Sequence, residues 1–154
     1  MTIDHAKEQR KMDVGTRDEI RLSIPNKPEY VSVVRLTVAA IANRMGFDIE
    51  KLEDIKVAVA EACTNAITHG VNNQDNFTVI FSIDEDKLTI TVCDSGKGCS
   101  VKEIKNHDLE HLSHEKEGGL GIFIIRSLMD SVDISSNLGN GTTITMIKYM
   151  GDDY

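Results

Sequence analysis

The chain has 154 residues, of which 40% are hydrophobic and 27% charged, with a formal net charge of -8. This length and balance suit one globular domain, able to bury about two-thirds of the surface its unfolded chain exposes. The acidic balance, with a pI near 5.0, excludes sequence-independent nucleic-acid binding, which needs lysines and arginines to displace counterions, and disfavours anionic membrane surfaces.

Residues 1–17 are polar and lack any period, so they read as an arm outside the fold, and they hold no apolar core of a secretory signal. The single domain then runs from 18 to 154, without internal repeat or linker. Ile20, Leu22 and Ile24 alternate as a strand. A helix opens near Pro28 and closes at Gly46, with an apolar stripe of Tyr30, Val34, Val38, Ile41 and Met45. Asp48 caps a second amphipathic helix, whose core positions include Leu52, Ile55, Val59 and Ala62. "NFTVIFSI" and "LTITVCD" alternate on either side of "DEDK" as an antiparallel hairpin. Residues 99–117 form a polar stretch without period. "GGLGIFIIRSLMDSV" is a helix entered through glycines, and "VDISS", the turn "NLGNG" and "TTITMIKYM" make a last hairpin. This order predicts an α+β, two-layer sandwich: a mixed, mostly antiparallel sheet with helices on one face.

The longest unbroken apolar run, Val38 to Ala42, is too short to cross a bilayer. Cys63, Cys93 and Cys99 make an odd count without a CxxC pair, which reads as reduced structural thiols in a cytoplasmic protein.

Chemistry concentrates in three separated segments. Glu61 and Asn65 stand one turn apart on the second helix, so they share a face, and His69 follows at the same spacing. "DSGKG", residues 94–98, ends an apolar strand with an aspartate and two glycines. "GGLG", residues 118–121, opens a helix, where free N–H groups and the dipole favour anions. The three together suit a nucleotide and its metal. An amide oxygen is a hard ligand for Mg²⁺, a carboxylate accepts hydrogen bonds from the amino edge of adenine, and glycines let backbone approach phosphates. A carboxylate beside the metal ligand can orient a hydroxyl for in-line attack on a γ-phosphate. Other nucleotide signatures are missing: there is no GxxxxGK followed by Ser or Thr, no third small residue in "GLGIFI", and no HRD or DFG.

"EACTNA", "DSGKG", "GGLG" and "GTTITM" follow one another in the order of the four nucleotide-binding boxes of the GHKL, or Bergerat-fold, ATPases. With "PEYVSVVRLTVAAIANRMG", "IKVAVAEACTNAITHG" and "EGGLGIFIIRSLMD", the chain resembles the bacterial anti-sigma-factor serine-protein kinases from residue 18 to about 150. The resemblance implies Glu61 as catalytic base, Asn65 as Mg²⁺ ligand and Asp94 as the adenine reader, with Gly96 and Gly98 shaping its pocket. It implies phosphate contacts from the box Gly118, Gly119, Leu120 and Gly121, a position near adenine for Thr143, and an ATP lid over residues 99–117. Glu117 stands where the lid would offer a base to the γ-phosphate, so Lys116 takes that role. It implies as partners a sigma factor, an antagonist phosphorylated on serine or threonine, and a second copy in a homodimer. Arg35, off the apolar stripe of the first helix, is the candidate sigma-factor contact. Sensor histidine kinases have a related fold, but Glu61 favours transfer to a hydroxyl or to water over relay through histidine.

Two competing functions remain: a nucleotide-gated binding module without phosphotransfer, and a plain ATPase. His69 reads as a helix-end structural residue. His107, His111 and His114 have helical spacing for Zn²⁺ but no committed cysteine or acidic ligand beside them, and read as part of a polar loop.

Overall fold

The structure is a computed structural model and describes residues 18–69, 75–94, 119–137 and 141–151. Its elements are β1 (Asp18–Pro25), a 3-10 turn (Pro28–Tyr30), α1 (Val31–Met45), α2 (Ile49–His69), β2 (Asn76–Ile83), β3 (Lys87–Cys93), α3 (Gly119–Leu128), β4 (Ser131–Asn137) and β5 (Gly141–Tyr149). The five strands form one sheet in the order β1-β2-β3-β5-β4. Every described pairing is antiparallel, so the α+β sandwich expected from the sequence holds with no parallel pair among the described strands.

Register explains the layering. Leu22 pairs Val79, Val79 pairs Val92, Val92 pairs Ile144, and Ile144 pairs Ile134, so one apolar row crosses all five strands. Phe81, Ile90, Met146 and Val132 make the next row. Side chains opposite one another project to the same face, and these rows are what the helices cover. Val34, Val38, Ile41 and Ala42 from α1 join Ile55, Ala58, Val59, Ala62 and Ala66 from α2 in this core, and Ile122 and Ile125 come from α3. Alanines at four-residue intervals on α2 let that helix lie close to the sheet.

The helix ends follow local chemistry. Gly46, at φ 96°, closes α1: its N–H donates to the carbonyls of Ala42 and Asn43, and the Phe47 N–H also donates to Ala42. That is a Schellman end, which a glycine adopts without steric cost. Asp48 caps α2 as expected, its Oδ1 accepting the Lys51 N–H at 2.8 Å. Two boundaries differ from the sequence reading. The Pro28 turn is 3-10, with α-helix only from Val31, and Tyr30 is exposed rather than core. α3 stops at Leu128, not near Val132. There the Asp130 N–H donates to the Ile147 carbonyl, Asp130 Oδ2 accepts the Tyr149 N–H, and β4 begins at Ser131. Bonds to β5 outcompete one more helical turn.

Cys63 is free and fully buried, which pushes its thiol pKa up to about 12. Cys93 departs from the reduced thiols expected, being disulfide-bonded. An odd count guarantees one unpaired cysteine but does not forbid one bridge. No described helix is long and apolar enough to cross a membrane.

Candidate active site

The last two turns of α2 carry Glu61 and Asn65, both half-buried, while Ala62, Cys63 and Ala66 hold the adjoining face against the core. One side of the helix is thereby fixed by packing and its flank is free to do chemistry. α2 also packs along α3. A β-carbon at Gly121 would lie 3.2 Å from Glu61 Oε2, so the carboxylate reaches the first turn of α3. A β-carbon at Gly119 would meet nothing within 4 Å. Glu61 and the glycine-bearing helix start therefore lie together, with the Asn65 amide one turn further along α2.

Asp94 follows β3 directly and is only 6% exposed. Its Oδ1 accepts the Thr142 N–H at 2.6 Å, and its own N–H donates to the Thr142 carbonyl at 3.2 Å. Its Oδ2 takes no part in the bond to the Thr142 N–H. Burial raises the Asp94 carboxyl above its ordinary value. The Thr142 bond, the electrostatic influence of His69 and the Asp94 amide pull the other way, in that order. His69, at the end of α2, is thus an electrostatic neighbour of Asp94.

The Thr143 expectation changes. Ile144 and Met146 face the core, so Thr142 shares that face and Thr143 takes the opposite one. There the Thr143 hydroxyl lies 3.5 Å from Cys93 Sγ. A disulfide sulfur carries no proton, so the hydroxyl is the donor. Thr142 is the threonine on the face of Ile144 and Met146, beside Asp94, and alternation in "GTTITM" already held that signal. Leu120 is 75% exposed and projects away from the protein. Arg35 is exposed on α1, beside exposed Val33 and Leu36. Gly96, Gly98, Lys116, Gly118, the lid 99–117, the histidines at 107, 111 and 114 and the arm 1–17 lie outside the described residues.

A family of histidine kinase-like ATPase domains matches residues 24–148. A serine-protein kinase RsbW from Oceanobacillus iheyensis is 41% identical over 143 residues, covering 88% of this chain and 89% of that protein. One from Bacillus velezensis is 39% identical over 146 residues, with 88% of each covered. The chain belongs to the RsbW serine-protein kinases. A solved structure of the RsbU and RsbW domains of a Mycobacterium tuberculosis protein shares the fold, with a TM-score of 0.63 at 17% identity, over 85% of this chain and 31% of that one. In the RsbW family the ATPase domain is the kinase, so the constellation just described sits in the domain that handles nucleotide.

The donors suit Mg²⁺. Among the described residues there is no group of three His, Cys, Asp or Glu able to hold a metal alone. A half-buried amide beside a carboxylate offers one or two hard oxygens and leaves the remaining positions to phosphates and water, which is how Mg²⁺ is usually held.

Proposed function

We propose that this chain is an ATP- and Mg²⁺-dependent protein kinase that holds a sigma factor and phosphorylates an anti-sigma-factor antagonist on serine or threonine. The observation that carries the proposal is the Glu61 carboxylate, seated against the first turn of α3 and one turn from Asn65. Helix N–H groups at Gly119 and Gly121 attract the phosphates, and Asp94 Oδ2 accepts from the adenine amino group with Thr142 beside it. Thr142 replaces Thr143 in this role. Gly96 and Gly98 shape the adenine pocket, and Gly118 and Lys116 complete the phosphate contacts.

Phosphotransfer then needs one proton acceptor. Glu61 takes the proton of the substrate hydroxyl as its oxygen attacks the γ-phosphorus; the bond to the β–γ bridging oxygen breaks, ADP leaves, and Glu61 returns its proton to water. Mg²⁺, held through Asn65, would neutralise charge developing on the phosphates. Arg35, with Val33 and Leu36 exposed beside it, forms the surface offered to the sigma factor. The protein works as a homodimer in the cytoplasm.

The test mixes the purified protein with labelled Mg-ATP and a candidate antagonist protein. Label reaches an antagonist serine or threonine. Glu61→Gln lowers transfer at least about a hundredfold, the scale of a lost general base, while ATP still binds. Wild type that binds ATP and never labels the antagonist would make this chain a nucleotide-gated binding module instead.

A further inference from the structure

Gly121 sits inside the first turns of α3, where a glycine weakens a helix. Its backbone does not require glycine, since the positive-φ glycines among the described residues are Gly46, Gly141 and Gly151. Besides letting the backbone approach phosphates, a missing side chain here leaves space. The neighbour that would fill that space is Glu61 Oε2, 3.2 Å from a β-carbon at this position, closer than side chains ordinarily approach such a carbon. Gly119 differs, because a side chain there would enter open space. Leu120 is exposed and Ile122 is buried, so Gly121 is the residue through which α3 meets the carboxylate.

We infer that Gly121 is a positioning residue for Glu61: the absent β-carbon is the seat in which the carboxylate is held against α3. This rests on the reading of Glu61 as base. A methyl there displaces the carboxylate by a few tenths of an ångström without touching the core, because the group that must move is the free end of a side chain. A base so displaced is in the wrong place for the hydroxyl proton, although ATP still binds.

Steady-state transfer to the antagonist, ATP dissociation constants and melting temperatures are measured for wild type, Gly121→Ala, Glu61→Asp and the double variant. Gly121→Ala is expected to lower kcat at saturating ATP about tenfold, as sub-ångström misplacement does, beyond any change in ATP affinity through its phosphate contact, with no lower melting temperature. In Glu61→Asp the carboxylate is one methylene shorter and withdrawn from the seat, so adding Gly121→Ala costs less than about twofold further. Gly119→Ala is the coupling control: whatever it does to ATP binding, it does equally in both backgrounds. The inference is overturned if Gly121→Ala leaves kcat unchanged, loses the same factor in the Glu61→Asp background, acts only on ATP affinity, or melts earlier than wild type. Glu61→Gln separates the two levels. If it abolishes transfer while the Gly121 coupling is missing, only the positioning role falls; if it transfers as wild type does, the base assignment falls and takes this role with it.

Discussion

Asp94 is a carboxylate that the free protein holds at a cost and the nucleotide would use. Its pKa is raised, mainly because burial removes water from the charge. A carboxyl whose folded pKa lies above its unfolded value favours folding while protonated; that contribution is complete below the unfolded pKa and is lost as pH rises through the folded one. At neutral pH the ionised group therefore weakens the nucleotide-free protein. Asp94→Asn keeps the Oδ1 acceptor for Thr142 and removes the charge, so its melting temperature in the absence of ATP should exceed wild type at pH 7.5 by about 2 °C. The gap should close as the pH falls through the raised pKa toward the ordinary carboxylate range, about 4. ATP affinity should fall by about tenfold or more with the charge-assisted acceptor. A calorimetric pH series on both proteins, with a nucleotide titration, decides it; a gap that widens on acidification would contradict the sign. At this scale the sequence was informative where spacing forces a face. Glu61 and Asn65 were legible because four residues is a helical turn, and Thr142 was legible in principle from strand alternation. The approach of Gly121 to Glu61 was not, because it joins residues sixty positions apart in sequence.

Elements fold as their ends permit. α1 and α2 turn on the segment from Gly46 to Asp48, where a left-handed glycine and a capping carboxylate stand two residues apart. Replacing Gly46 by alanine places a β-carbon in a left-handed backbone, at a cost of roughly 1–2 kcal/mol. In a chain of this size, thermal unfolding of Gly46→Ala should then shift down by about 2–6 °C. Its ATP dissociation constant should be unchanged, since the turn belongs to the far end of α2 from Glu61. A drop in ATP affinity without a drop in stability would show that the turn acts on the site. Both residues of this turn were readable because caps are local. The end of α3 was not, since Asp130 is claimed by Ile147 and Tyr149 of another strand. The strand order was equally hidden, because β3 finds β5 across an intervening helix and strand.

On the scale of the whole molecule, the candidate site is assembled from the end of α2, the end of β3, the start of α3 and the start of β5. None of these four pieces can hold a nucleotide alone, and the unfolded chain does not bring them together. A ligand that binds only the folded state stabilises it by mass action, by about 2.7 kcal/mol at one hundred times its dissociation constant. For a domain of this length, that is a rise of about 5–10 °C in melting temperature. With Mg²⁺ present the rise should be larger than in EDTA at the same ATP concentration, as the proposal of Asn65 as metal ligand requires. Asn65→Ala should remove the difference between the two conditions while leaving the EDTA shift as it was. Scanning fluorimetry over an ATP series in both buffers measures this directly. A Mg²⁺-dependent increment that survives in Asn65→Ala would take the metal away from this residue and leave the phosphates to the α3 amides alone.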